Sequence, residues 1–159
     1  MALFPKGSAT HEFFQKCTHN TLEEEASWFC DTTATIALIE RPKPRSHEDE
    51  IQAFIARHSV RLGAYKGKQE GKLTGMLEGM ELSGLGFELP QEDPKRPETK
   101  GLAPFPWVVF LATETMPDGT GLVLSCTLAG SEAMKIPPVQ MCHAGMKHLR
   151  DRMLDLHKK

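Results

Sequence analysis

The sequence has no long hydrophobic run and no marked excess of charge of one sign. No segment approaches the roughly 20 apolar residues that span a bilayer, and the N-terminal stretch MALFPKGSATHEFF lacks the apolar run of a signal peptide. The 19 basic and 21 acidic residues give a formal net charge of -2, so the composition offers no electrostatic footprint for DNA or RNA. These absences predict a cytoplasmic protein with neither a membrane nor a nucleic-acid partner.

Catalytic and metal-binding signatures are also missing. The chain contains no GxSxG, HExxH or GxxxxGK[ST] motif. The CTH and CH sequences at 17–19 and 142–143 lack the second ligand pair of a structural zinc site. We therefore expect no catalytic residues, no metal and no cofactor, although an enzyme using one of the cysteines remains an alternative because a Cys–His pair need not be adjacent in sequence.

Cysteines are few for a chain of 159 residues. Their number and scattered positions argue against a disulfide framework, so we expect reduced side chains that act as small hydrophobes where the surrounding pattern is apolar. The four positions are Cys17, Cys30, Cys126 and Cys142.

The length and composition predict one domain, residues 1–159, with a single core. Residues 1–32 are predicted to be partly helical. THEFFQKC could begin a short helix with Thr10 as its cap, and Leu22, Ala26 and Phe29 or Cys30 follow a helical spacing. Residues 90–106 are rich in proline and charge, which predicts a long exposed loop.

Two amphipathic helices are predicted. Ser46 is a good N-cap ahead of acidic residues, and Gly63 is a natural stop. In the helix between Ser46 and Gly63, His58 lies on the apolar face, at its boundary with the polar residues. The second helix is predicted to begin near Ile136. Its narrow apolar stripe consists of Val139, Cys142, Met146, Leu149, Met153 and Leu156. His143 is predicted to point away from this stripe.

Strand patterns fill much of the remaining sequence. Residues 33–40 read as a strand, and WVVFLATET and GLVLSCTLA flank a tight-turn signal at Asp118-Gly119. The glycine-rich stretch GMELSGLGFELP is not a dinucleotide fingerprint, because Leu89 occupies the third glycine position and Pro90 follows. Its apolar alternation changes phase at Ser83-Gly84, which predicts a bulge or a tight turn. The order of elements predicts an α+β fold: an antiparallel sheet with the helices on one face and a long C-terminal helix.

The chain resembles the Mog/PsbP-like fold, in particular the DcrB-like proteins, in the stretches IALIERPKP, SHEDEIQAFIARHSVRL, GMELSGLGFEL, WVVFLAT, GLVLSCTLAG and VQMCHAGMKHLRDRM. The resemblance covers roughly residues 33–156 and implies a non-enzymatic binder. Members of this fold include adaptor chaperones for type VI secretion effectors, a Ran-binding factor and a photosystem subunit.

We therefore predict a non-catalytic protein-binding module: an immunity protein or adaptor chaperone for a type VI secreted toxin or effector. The alternative is a START-like domain that holds a small hydrophobic ligand between a curved sheet and the final helix.

Two segments are candidate binding surfaces. One is the basic RPKPR stretch, with Arg41, Lys43 and Arg45. The other is the proline-rich region and the aromatic residues that follow it, residue types enriched at interfaces. Trp107 has a second interpretation as the first core residue of its strand. The second segment comprises Glu92, Asp93, Lys95, Arg96, Phe105 and Trp107.

Overall fold

The computed structural model describes residues 18–22, 25–29, 34–69, 79–133 and 136–156. Within these residues there are seven strands: β1 (Thr18–Leu22), β2 (Glu25–Phe29), β3 (Ala34–Arg41), β4 (Ala64–Gln69), β5 (Glu81–Leu89), β6 (Phe105–Thr115) and β7 (Gly121–Ala129). The helices are α1 (His47–Leu62), α2 (Gly130–Ala133) and α3 (Ile136–Leu156). Among the described residues, no helix has the length and apolar character needed to cross a bilayer.

The strands form one antiparallel sheet in the order β1-β2-β3-β7-β6-β5-β4. The predicted hairpin is confirmed: β6 and β7 pair along their length and are joined by a turn in which Gly119 has φ of 91°. The side chain of Asp118 accepts a hydrogen bond of 2.9 Å from the backbone N–H of Thr120. The α+β class, the antiparallel sheet and the long C-terminal helix are confirmed.

Helices α1 and α3 lie on opposite faces of the sheet. Even-numbered residues of β3, β6 and β7 share one face, where they form an apolar cluster with α3. Odd-numbered residues of β5, β6 and β7 form a second cluster with Ile51, Phe54 and Leu62, which belong to α1. The prediction that the helices share one face is therefore wrong. Both faces of the central strands are apolar, so each face is shielded from water by a helix packed on it.

Strand β5 explains the phase change in the glycine-rich stretch. It pairs with β6 without interruption from Glu81↔Thr113 to Leu89↔Phe105, so it contains neither a bulge nor a turn. Leu82 packs with the α3 cluster, whereas Leu85 and Phe87 belong to the α1 cluster. The apolar alternation changes phase because different faces are covered along one uninterrupted strand.

The helix predicted around residues 22–30 is wrong for the described part, because residues 25–29 form β2. This strand pairs with β3 from Glu25↔Ile39 to Phe29↔Thr35. Three apolar residues at helical spacing are a weak local signal, and the hydrogen-bonded ladder to β3 outweighs it. The short helix predicted near residues 10–17 lies outside the described residues.

Helix α1 begins and ends where the sequence predicts. The Ser46 hydroxyl accepts a hydrogen bond of 3.1 Å from the backbone N–H of Asp49, and Gly63 follows the last turn with φ of 88°. His58 is half-buried on this helix, with its ring centroid 4.3 Å from that of Phe54. Its predicted boundary position is confirmed.

The pH dependence of stability should carry a contribution from His58. Burial, together with Arg61 and Arg57, lowers the pKa of His58 from 6.5 to about 4. The unfolded chain therefore binds a proton that the folded chain excludes, and stability present above pH 6.5 is lost as the pH falls towards 4. We expect the loss to be roughly 1–2 kcal/mol, below the full shift because the partly exposed ring is screened by water.

Urea unfolding of the protein and of His58→Gln between pH 4 and pH 7 checks this contribution. Because the pKa of His47, His143 and His148 is also lowered by burial, only the difference between the two proteins isolates His58. Parallel pH profiles would contradict the prediction.

Helix α3 buries Cys142, Met146, Leu149 and Met153, as its predicted stripe requires. Leu156 is 61% exposed, so the predicted stripe extends one turn too far. His143 is fully buried and meets the edge of the Phe110 ring at a centroid distance of 4.9 Å. The prediction that His143 points away from the core is wrong, because the buried face of α3 is wider than a narrow stripe.

Cys126 and Cys142 are joined by a disulfide between β7 and α3. The expectation of reduced cysteines is wrong for this pair, which is brought together only when α3 packs on the sheet. Neither residue can act as a thiolate nucleophile while the bond is intact. Cys17 and Cys30 lie outside the described residues.

Candidate functional site

A polar cleft of about 310 Å³ opens at one end of the sheet, where β3 and β6 end, β5 and β7 begin, and α1 starts. Ionisable and hydroxyl side chains dominate its walls, which distinguishes it from the mostly apolar pockets that hold small hydrophobic ligands. They include Arg45, His47, Glu50, Glu81, Thr113 and Glu114.

A buried ion pair contributes to one wall of the cleft through Glu50. The Arg41 Nε and Nη2 atoms each donate a hydrogen bond of 3.1 Å to the Glu50 carboxylate, and the side chains are only 6% and 3% exposed. Such a two-point contact fixes both groups. Arg41 was predicted to belong to a binding surface, but that prediction is wrong because its guanidinium is buried and paired with Glu50.

A second ion pair joins α3 to β6 at the cleft. The Arg150 Nε and Nη2 atoms donate to the Glu114 carboxylate at 2.6 and 2.7 Å, with side-chain exposures of 17% and 15%. The hydrogen bond to Glu114 raises the pKa of Arg150. Both pairs hold carboxylates of the cleft in fixed positions.

His47 connects α1 to two strands. Its Nδ1 lies 2.8 Å from the Thr113 hydroxyl of β6, and its Nε2 lies 2.8 Å from the Ser83 hydroxyl of β5. Burial lowers the pKa of His47, with Glu81 acting in the opposite direction. The imidazole is therefore neutral at pH 7.

The His47–Ser83 contact has the geometry of a base beside a nucleophile, but it lacks two features of such a pair. The second ring nitrogen faces a hydroxyl where a carboxylate would stabilise an imidazolium. Ser83 is also not among the residues that line the cleft. The arrangement anchors the first turn of α1 to the sheet.

Sequence reasoning missed His47, Glu50, Glu114 and Arg150. Glu50 had one usable signal: it lies beside Ile51 and four residues before Phe54, on the apolar side of α1. An acid in that position requires a buried partner. The partner itself, Arg41, could not be chosen without the fold.

The opposite end of the sheet carries residues 90–104, here named the proline loop. Most of its side chains are exposed, yet its backbone is ordered. The Thr99 hydroxyl accepts a hydrogen bond of 2.7 Å from the backbone N–H of Asp93. The same hydroxyl lies 3.1 and 2.7 Å from the carbonyl oxygens of Asp93 and Arg96, to either of which it can donate.

Further contacts within the proline loop support this conformation. The Asp93 carboxylate accepts a hydrogen bond of 2.9 Å from the backbone N–H of Lys95, and Pro97–Thr99 form a 3-10 turn. Arg96 pairs with Glu98 at 3.1 Å, with both side chains about two-thirds exposed (67% and 65%). Glu92, Lys95 and Leu102 are exposed to solvent.

The two aromatic residues after the proline loop belong to β6. Phe105 and Trp107 have ring centroids 4.9 Å apart, and Trp107 is partly buried against the α1 cluster. Its indole Nε1 is buried without a hydrogen-bond partner in the part of the chain that the structure describes. Trp107 therefore has a core role at the base of the proline loop.

The predicted binding residues fall on two separate surfaces. Lys43 and Arg45 are exposed near the cleft, beside the strand end where Arg41 pairs with Gly121. The proline loop precedes the other end of β6, where Phe105 pairs with Leu89. The eleven residues of β6 separate the two ends by roughly 33 Å.

Comparisons with known proteins find structures but no sequence relatives. No family model matches the chain, and no curated protein matches it. The chain is similar to the crystal structure of the Saccharomyces cerevisiae Ran-binding protein Mog1p, with a TM-score of 0.44 and 10% identity over 84% of this chain and 78% of that chain. A mutant of Mog1 gives a TM-score of 0.42 and 12% identity over 84% and 79%. The DcrB-like assignment stays a prediction.

Proposed function

We propose that the protein is a non-catalytic binding module that contacts a protein partner through the proline loop. One observation carries this proposal: the loop backbone is held by its own hydrogen bonds while its charged side chains are exposed. The exposed side chains of the proline loop include acidic and basic residues and the apolar Leu102.

The energetics of the proline loop favour a role in binding. Ordering a loop costs conformational entropy, and a loop whose side chains are exposed recovers little of that cost through apolar burial. The contacts of Thr99 and Asp93 order the backbone before any partner arrives, which reduces the entropy lost on association.

The polar cleft supports the non-catalytic part of the proposal. Glu50 and Glu114 are each held by an arginine, and both ring nitrogens of His47 lie within hydrogen-bond distance of hydroxyls. These contacts fix the end of the sheet. Within this group of three residues, each side chain that could act as a base already has a partner inside the protein.

We further propose that the partner is a bacterial secreted toxin or effector, which the protein neutralises or delivers. This finer proposal is motivated by the sequence resemblance over residues 33–156 and by the exposed proline loop. The cytoplasmic location stays a prediction. The space between α3 and the sheet is filled by the cluster that contains Phe110 and Leu124, so no observation on the described residues favours a hydrophobic ligand there.

A photo-crosslinking experiment in cells of the source organism tests the contact surface. Benzoylphenylalanine replaces Lys95 in the proline loop, and the matched control carries it at Pro117, an exposed position in the β6–β7 turn at the other end of the sheet. We expect a discrete higher-mass adduct from position 95 and none from position 117, because the partner covers only the proline loop.

Mass spectrometry of the adduct identifies the partner class. A toxin-like or effector protein supports the finer proposal, and any other protein contradicts it while leaving the contact surface intact. The absence of an adduct at position 95, or equal adducts at both positions, would contradict the proposed contact surface.

A further inference from the structure

The disulfide occupies a central position in the fold. Cys126 lies in β7, between β3 and β6, and Cys142 lies near the second turn of α3. The residues are 0% and 1% exposed, within the cluster that also contains Phe110, Leu124 and Met146. The bond therefore links the middle of the sheet to the helix that covers it.

Burial makes this bond inert in the folded protein. Thiol–disulfide exchange requires an attacking thiolate to reach one of the sulfur atoms, and neither sulfur is accessible while α3 is packed on the sheet. The same packing would protect two thiols from oxidation. The oxidation state of the pair is thus set before α3 packs, while the chain is still open.

We propose that the protein folds in an oxidising compartment, where a thiol–disulfide oxidant forms the Cys126–Cys142 bond before α3 closes over it. The two thiols lose two protons and two electrons as the Sγ–Sγ bond forms. The oxidant, a disulfide-bonded oxidoreductase or an oxidised low-molecular-weight thiol, accepts those two protons and two electrons and becomes two thiols. Cytosolic reductants oppose this step, so the proposal disagrees with the predicted cytoplasmic location. It also implies that the protein meets its partner in or beyond the oxidising compartment.

Differential alkylation in cells of the source organism tests the proposal without any substitution. Cells are quenched in acid, the protein is dissolved in denaturant so that buried thiols are accessible, and free thiols are blocked with one maleimide. The protein is then reduced and labelled with a second maleimide of different mass. Peptide mapping should find Cys126 and Cys142 carrying only the second label. The first label on both residues would show that the chain folds with reduced thiols and would overturn the proposal.

A second measurement uses the purified wild-type protein. Dithiothreitol should reduce the bond at least ~1000-fold more slowly in native buffer than in denaturant, because access requires opening of the fold. Closing a loop of 16 residues should raise Tm by roughly 6–12 °C over the reduced, refolded protein. Equal reduction rates, or equal Tm values, would contradict a buried structural cross-link.

Discussion

Replacing Gly63 with alanine is expected to destabilise the protein by about 4 kcal/mol, near the upper end for a single substitution. Gly63 has φ of 88°, and a Cβ there would lie 2.0 Å from the carbonyl oxygen of Glu88 in β5. The contact is with backbone, so no side-chain rotation relieves it. Urea unfolding of wild type and Gly63→Ala gives the difference in free energy of unfolding.

Gly119→Ala is the matched control for this substitution. Gly119 has φ of 91°, but no atom lies within 4 Å of the added Cβ. Only the backbone conformation is then penalised, at about 1–2 kcal/mol. Equal losses in the two variants would mean that the end of α1 does not approach β5 as closely as the structure shows.

Replacing Glu50 with glutamine is expected to cost about 3–5 kcal/mol, the usual range for breaking a buried ion pair. The substitution keeps the size of the side chain but removes the negative charge that the buried Arg41 guanidinium faces. A double variant, Arg41→Met with Glu50→Leu, should recover most of the loss because no buried charge remains.

Glu98→Gln provides the surface comparison for Glu50→Gln. Glu98 pairs with Arg96 at the same 3.1 Å distance, but both side chains are about two-thirds exposed (65% and 67%). Its loss should be at most about 1 kcal/mol. If Glu50→Gln were no more destabilising than Glu98→Gln, the Arg41–Glu50 pair could not be a buried, fixed wall of the cleft.

Local signals in the sequence predicted the elements that local interactions determine. Helix α1 follows from Ser46, whose hydroxyl caps Asp49, and from Gly63, whose positive φ ends the helix. The β6–β7 hairpin follows from Asp118-Gly119. In each case the residues that cause the structure are neighbours in sequence.

Features that depend on pairing and packing between elements could not be predicted in the same way. Strand β2 exists because it pairs with β3, although its own sequence also fits a helical spacing. The phase change at Ser83-Gly84 shows only that apolar residues change sides. Whether a bulge or a second covered face causes it depends on where α1 and α3 pack.

The candidate site shows the same division. The exposed proline loop was predicted from its composition, but the hydrogen bonds of Thr99 that order it were not. Arg41 was predicted to be a surface residue because its neighbours are charged and proline-rich, yet Glu50 nine positions later holds it inside. A sequence pattern gives the chemistry of a side chain but not the group that it faces.

The order of the proline loop is tested most directly at Thr99. Thr99→Val removes the hydroxyl that contacts the backbone of Asp93 and Arg96, and Thr99→Ser retains it. With benzoylphenylalanine at position 95, we expect the crosslinking yield to fall about tenfold in the valine variant and to stay near wild type in the serine variant, with Tm changed by less than about 4 °C in both. Equal yields from the valine and serine variants would contradict binding through a loop ordered in advance.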